Sequence, residues 1–333
     1  LSSTERGQIE ALHRQNFAIR EIARQLHRNA ATISRELKRG TTTQMDTNRH
    51  YFKVYFADTG VAVYEKHRSK SHAKGFLKRA WLFFAMLITA LKQRPRVDSV
   101  DSFVHRFKQR HPEAFCPSTP TVYRYVHAGL VPGLRDLDLP QVVNRRRKHG
   151  HGHQRMNQKS LGQSIEQRPM TVESREDFGN WEGDLVKGKR VASEPALLTL
   201  TERKTRFEYI IKLDNYHAAT CREAVQELVN TNPQIFKTVT FDNGSEFSEL
   251  NQLTDTEIYF AHPYSPWERG SNEQANGQIR ESIPKGKSLH GFSADFITQV
   301  QAALNQRLRR CLNYQSSQAC FNLEILAMNE TTD

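Results

Sequence analysis

Three acids far apart along the chain, Asp184, Asp242 and Glu273, sit where carboxylates could do chemistry together. Asp184 falls inside the largely apolar run WEGDLV, which reads as a strand, where an acid is unexpected. Asp242 ends TVTFD and is followed at once by Asn243-Gly244, a turn that would expose it at the strand's carboxyl end. Glu273 lies near the start of a helical stretch, after a loop containing Pro263, Pro266 and Gly270. If the two strands are neighbours, the aspartates converge and the helix can bring Glu273 over them. Three carboxylates cannot share a small site as free anions, because like charges raise one another's pKa. Divalent cations remove the conflict. Oxygen ligands of this kind suit Mg²⁺ or Mn²⁺. Two such ions about 4 Å apart would activate a water or 3′-hydroxyl and stabilise the leaving oxygen of a phosphoryl displacement. Other trios can be drawn, since residues 169–333 contain 23 acids; Glu182, Glu246, Glu268 and Glu281 are rivals, and Glu182 would share a strand face with Asp184.

The elements that must position these acids follow from hydrophobic periodicity. Residues 181–186, 196–201 and 207–213 are successive strand candidates joined by short charged turns. Residues 218–229 carry apolar side chains at helical spacing, and residues 238–242 and 258–261 are further strands before a helix over about 271–281. The order β-β-β-α-β-β-α predicts an α/β domain built on a mixed sheet.

The rest of the chain has a different character. Of 333 residues, 48 are Lys or Arg and 36 Asp or Glu, a net charge of +12. Residues 1–168 hold 31 basic and 13 acidic side chains, a net of +18, whereas residues 169–333 net −6. A sign change of this size implies a polyanion-binding front joined to an acidic back with a separate task. Cys116, Cys221, Cys311 and Cys320 form no C-x-x-C pair, which argues against a zinc finger or disulfide scaffold and for reduced intracellular thiols. The apolar stretch 80–91 has 12 residues, short of the roughly 20 that span a bilayer, and it lies mid-chain, unlike a signal peptide. It reads as a buried helix, with a helix-pairing surface as the alternative. The chain begins at Leu1 rather than Met, so a few residues are expected to precede it. The expected location is the cytoplasm, in association with the nucleoid.

Within the basic front, Ile9 and Leu12, then Ile19, Ile22, Ala23 and Leu26, then Ile33 and Leu37 mark three short helices. The tight segment His27-Arg28-Asn29 separates the last two, with Asn29 available as a cap and His27 where glycine is common. This is the layout of a helix-turn-helix, whose second helix enters the major groove of double-stranded DNA. Arg28, Thr32, Ser34, Arg35, Lys38 and Arg39 are the candidate contacts to base edges and phosphates. The alternative is a plain three-helix bundle with a solvated basic face. A second, softer candidate spans 98–128, where Ser118 can cap a helix presenting Thr119, Thr121, Tyr123 and Arg124; core packing competes with groove reading there. Residues 144–160 contain six basic side chains and no acid, so Arg145, Arg146, Arg147 and Lys148 read as part of a phosphate-tracking linker. The predicted organisation is therefore 1–45 helix-turn-helix, 46–97 helical connector, 98–140 second DNA-binding segment, 141–168 basic linker and 169–333 catalytic domain.

At these segments the chain resembles a known family. NWEGDLVKG (180–188), TFDNGSEF (240–247) and YSPWERGSNEQANGQIRESIPKG (264–286) resemble the DDE transposases of the insertion-sequence-30 family, as do residues 4–40 and STPTVYRYVHAG (118–129). The resemblance implies an all-α helix-turn-helix region followed by an RNase H-like α/β core, with Asp184, Asp242 and Glu273 as the catalytic, metal-holding triad. It also implies Mg²⁺ as cofactor, two ions per site with Mn²⁺ able to substitute, cutting at inverted-repeat ends and joining of 3′-hydroxyls to target DNA. A homodimer or larger assembly on paired ends follows from that activity, and Lys285 would lie near the DNA or be a solvated turn lysine. Three positions depart from the family pattern: Ala18 for Ser, His262 for Asp and Gln278 for Leu. Two other readings stay open from the residues alone. One is a DNA-binding regulator with an inert acidic domain, and the other is an RNase H-like nuclease without strand transfer.

Overall fold

The computed structural model describes residues 1–70, 75–139, 161–189, 194–262 and 265–330. The basic segment with Arg145, Arg146, Arg147 and Lys148 lies outside the described residues. The described chain divides into two compact units, residues 1–76 and 77–333.

The first unit contains α1 (Ser3–Arg14), α2 (Ile19–Gln25) and α3 (Ala30–Gly40). Ser2 caps α1 through a reciprocal capping box with Glu5, and Asn29 accepts a hydrogen bond from the Ala31 amide at the start of α3. Ala18 opens α2 without a side-chain cap bond. His27 adopts φ +50°, so the turn is made in the left-handed region by a histidine where glycine was the ordinary choice. Ile9, Ile22, Ala23, Ile33 and Leu37 form the core, in agreement with the spacing. Two features depart from the expected boundary at residue 45 and the all-helical connector. A hairpin, β1 (Thr41–Met45) and β2 (Tyr51–Tyr55), follows α3 directly, and α4 (Ala57–Lys70) packs back against α3 and α1. The physical reason is Tyr55, which is buried in the same core, together with the Ala57 amide, which donates to Glu10. Gly60 passes so close to the Glu36 carboxylate that a Cβ would collide with it.

The division falls inside the single turn α5 (Phe76–Arg79), and the second unit continues with α6 (Trp81–Lys92), α7 (Val100–Arg110) and α8 (Thr119–His127). The apolar helix is α6. Its Phe83 makes edge contacts with Phe103 and Phe107 of α7 at 5.4 and 5.1 Å, so the stretch is a buried core helix, although Trp81 is exposed. Val122 and Val126 of α8 are also buried.

The sheet comprises β3 (Gln163–Ser164), β4 (Asn180–Lys187), β5 (Ala196–Glu202), β6 (Glu208–Leu213), β7 (Thr238–Phe241) and β8 (Glu257–Phe260), with the short α9 (Met170–Ser174) before β4 and α10 (Ala218–Thr231) before β7. Its order is β3-β8-β7-β4-β5-β6. β4, β5 and β6 form an antiparallel meander, while β7 and β8 add in parallel beside β4. This is the RNase H-like arrangement. α11 (Gly270–Ser282) and α12 (Ala294–Gln306) cover one face over Val186, Leu197 and Ile210. α10 and α13 (Ser317–Glu330) cover the other, where Trp181 stacks on Phe236 at 4.7 Å and Phe321 packs on Phe207. A short ladder of β9 (Leu308–Arg309) and β10 (Gln315–Ser316) joins α12 to α13.

The segment expected as a separate unit, 98–140, is anchored to the sheet-bearing part. Arg106 donates to the Gln306 carbonyl at 2.7 Å, Arg307 donates to the Val97 carbonyl at 2.6 Å, and the Tyr314 ring stacks on His105.

Candidate active site

β4 and β7 are neighbours, with Glu182 opposite Thr240. Continuing that register by two residues sets Asp184 beside Asp242, one on each strand. Between Glu182 and Asp184, Gly183 lies under the Phe241 ring of β7, where any Cβ would clash. The glycine of the WEGD run is therefore a packing requirement that lets the two acid-bearing strands lie side by side.

Both aspartates meet the same cation. The Arg269 guanidinium lies 3.7 Å from Asp184 and 3.2 Å from Asp242, and it also donates to the Gly183 carbonyl at 3.0 Å. Asp184 accepts from the Asn276 side chain at 2.8 Å and from the Leu185 amide at 2.8 Å. Asp242 accepts from the Gly244 amide at 3.0 Å. Gly244 has φ −71°, so it is not there for conformational freedom; a Cβ would press on the Asp242 and Glu246 carboxylates. Burial raises the Asp184 pKa, Arg269 opposes that, and the Asp242 charge adds to it. Both side chains still reach solvent, at 27% and 39% exposure.

Glu273 lies in the first turn of α11 and is exposed. It precedes Asn276, the residue that touches Asp184, by three positions, so the two share a helix face. Among the described residues it makes no hydrogen bond or ion pair. Nor do the described His, Cys, Asp and Glu residues form any group of three or more able to hold a metal ion. The structure thus brings Asp184 and Asp242 to one cation and leaves Glu273 on the adjoining face of the helix above.

Each rival acid has a partner of its own. Glu182 is fully buried, accepts the Asn272 amide at 3.0 Å and faces Arg203 at 3.3 Å. Glu246 pairs with Lys187 at 2.8 Å, Glu268 with His262 at 2.9 Å, and Glu281 with Arg307 at 3.4 Å. His262, where the family resemblance expects Asp, therefore serves as a partner for Glu268, which raises its pKa. Arg269, Asn272 and Asn276 went unnoticed in the sequence reading, although Arg269 stands four residues before Glu273 in a loop-to-helix junction where an ion partner would be expected.

The DNA-contact candidates divide into free and occupied groups. On α3, Ser34, Arg35 and Lys38 are exposed, and Thr32 is half-buried. Arg28 is paired with Glu5 at 2.8 Å, and Arg39 is paired with Glu36. On the second segment, Ser118 sits at the cap position of α8 but its hydroxyl bonds Thr121 rather than a backbone amide, which corrects the expected cap. The backbone amides there are short by one because Pro120 lies in the first turn. Thr119 donates to Asp101 at 2.9 Å. Burial raises the Tyr123 hydroxyl's pKa, while Arg124 is exposed beside the Tyr125 ring. Lys285 is exposed just past α11. Among the described residues no helix is long and apolar enough to cross a membrane.

Comparison with known proteins extends these observations. A family described as a helix-turn-helix domain matches residues 1–40. A probable transposase for the insertion-like element IS1161 of Streptococcus salivarius is 39% identical over 97% of this chain and 94% of its own length. The transposase InsI of element IS30A from Escherichia coli K12 is 28% identical over 95% of this chain and 82% of its own. The HTLV-2 integrase catalytic core domain is similar to 43% of this chain and 95% of that one, at 16% identity and a TM-score of 0.32, too loose a match to add to what the strand order establishes. A helix-turn-helix front, an RNase H-like sheet and near-full-length likeness to these transposases lead to one assignment: the chain belongs to the insertion-sequence-30 family of transposases.

Proposed function

We propose that this transposase binds the inverted-repeat ends of its element through α3 and the α7–α8 segment, and that Asp184, Asp242 and Glu273 carry Mg²⁺-dependent cleavage and strand transfer. The observation that carries the reading is the meeting of two solvent-reaching aspartates, from adjacent strands, on a single guanidinium. Arg269 already supplies positive charge between them, which is the electrostatic demand a divalent cation would meet. The donors are hard carboxylate oxygens, and burial makes the Asp184 charge costly without a cation, so the residues fit magnesium. Asp184 and Asp242 would hold the metal, with Glu273 completing the set from α11. Bound there, two ions would supply Lewis-acid activation of the attacking hydroxyl and neutralise the leaving oxygen; Mn²⁺ would serve equally.

The chain's own groups do the positioning. Asn276 fixes the Asp184 carboxylate from the helix, and the Gly244 amide fixes that of Asp242. Arg35 and Lys38, free on α3, supply phosphate and base-edge contacts. Because two ends must be cut and joined together, the working form is a homodimer or larger assembly on DNA.

The test is a set of substitutions assayed on labelled inverted-repeat DNA. Asp184→Asn, Asp242→Asn and Glu273→Gln should each remove nicking and joining while gel retardation of the same DNA persists. Cleavage at the parental rate in any one of them overturns that residue's role. Nicked but never joined products from the parent chain would favour a nuclease over a transferase.

A further inference from the structure

A cavity of about 910 Å³ opens on the other flank of α11, inside the second unit, and it is lined by Arg175, Arg206, Arg307, Arg309 and Arg310. Five guanidiniums around one space need counter-charge, and the protein supplies little. Glu281 takes Arg307, and Arg309 has the buried Glu208 nearby. Asp101, also on the wall, is engaged by the Thr119 and Tyr314 hydroxyls. Among the described residues Arg175, Arg206 and Arg310 have no ion pair.

The backbone holds these cations in place at a cost. Arg175 and Arg206 both have φ +60°, and Asn313 and Tyr314, in the loop that follows the cavity wall, have φ +51° and +59°. Asparagine tolerates that region, but Arg and Tyr rarely adopt it unless their surroundings impose it. The Arg206 guanidinium also donates to Ser271 of α11. Burial and then the Arg175 charge lower the Arg206 pKa, and an anion between the two would remove the second cause.

We propose that this cavity seats phosphate groups of the DNA backbone, a few nucleotides from the reacting bond; this rests on the function proposed above. Ser271, Gln274 and Gln278 of α11 face the cavity, whereas Glu273 and Asn276 lie on the opposite side of the same helix, Asn276 touching Asp184. An α-helix is about 10–12 Å across. A strand advances about 3.4 Å per nucleotide along the duplex axis. A backbone engaged at the aspartates therefore reaches the cavity within about three or four nucleotides. Its volume is that of a ligand site, and its lining is that of a phosphate site, since guanidinium forks match phosphate oxygens.

The experiment uses the full chain carrying Asp184→Asn, so that binding is read without turnover, and a fluorescein-labelled duplex of arbitrary sequence. Arg175 and Arg310 are exposed, so Arg175→Gln with Arg310→Gln should leave the urea midpoint unchanged. The double variant should lower the slope of log affinity against log salt by about 2. Cys311 lies on the cavity wall and is exposed, so saturating duplex should slow its alkylation by N-ethylmaleimide several-fold, read by peptide mass mapping. An unchanged slope with undiminished alkylation overturns the proposal. Protection of Cys311 by inorganic phosphate alone, with the DNA slope unchanged, also overturns it, in favour of a free-anion site. These failures would leave cleavage by the parent chain standing. Conversely, a parent chain that protects Cys311 with DNA yet never cuts would remove the function and keep the cavity.

Discussion

In the first unit the buried Glu36 carboxylate takes Arg6 at 2.8 Å and also Arg39, while Glu5 takes Arg28 and Glu10 takes Arg14. What remains without an internal partner on the outer face of α3 is cationic: Arg35 and Lys38. In the second unit the signs are reversed around β4. Arg203 takes Glu182 and Glu173, Lys187 takes Glu246 and His262 takes Glu268. There the exposed remainder is anionic, Glu273 alone and Asp184 with Asp242 around a shared Arg269. The difference teaches where to look for function. Around α3 and around β4 the structural charges are neutralised internally, and what is left over suits the task proposed for each place, cations for phosphate at one and carboxylates for metal at the other.

The comparison is broken most severely by removing a structural partner. Arg203 and Glu182 are both essentially sealed from water, at 1% and 0% exposure. Arg203→Met strands the Glu182 carboxylate, and loss of one partner from a buried pair costs about 3–5 kcal/mol. Urea unfolding of the second unit should show a loss of that size, whereas Glu273→Gln should leave the midpoint within about 0.5 kcal/mol. Equal effects from the two would mean that the division into structural and functional charges is false.

In the first unit the same logic predicts a change in binding without a change in stability. Arg35→Gln with Lys38→Gln should weaken DNA binding and reduce the salt slope by about 2, if both meet phosphates. If one reads a base instead, the slope falls by about 1 and discrimination among sequences relaxes. Arg39→Gln, by contrast, loosens Glu36 inside the unit and should lower stability first.

Much of this was legible beforehand, for identifiable reasons. Strands 181–186, 196–201 and 207–213 are short apolar-rich runs bounded by charged turns, and the sheet formed where those runs lay. The three helices of the first unit were equally plain from Ile9, Ile22 and Ile33. The hairpin at 41–55 was not, because TTTQM and YFKVY put most of their side chains in solvent and only Tyr55 enters the core. The cap at Ser118 was misread because Thr121, one turn on, offers its hydroxyl a competing partner. At the site, the acids stand out by type, but Arg269 does not, since its role depends on a loop folding back over two strands. The arginine cavity was invisible for the same reason: Arg175, Arg206 and Arg310 are separated by long stretches of chain and carry no periodicity.

The smallest predicted effect concerns Asp184 in the absence of divalent metal. Its folded pKa is raised, mainly by burial and further by the Asp242 charge, with Arg269 pulling the other way. A carboxyl group raised in this way binds its proton more tightly in the folded state than in the unfolded one. It therefore favours folding most below its unfolded value near 4, and that contribution is lost as pH rises through the folded value. Asp184→Asn removes the cost of charging, so the metal-free variant should melt slightly higher than the parent at neutral pH, and the gap should close on acidification below the unfolded pKa. If Asp184 holds magnesium as proposed, added Mg²⁺ should reverse the order, because the variant lacks one of the proposed carboxylate ligands. Thermal melts across pH, with and without Mg²⁺, check both signs. A variant that melts lower than the parent at neutral pH without metal would mean that Asp184 is held by Arg269 and Asn276 as a structural anion, like Glu182 two residues earlier on the same face of β4.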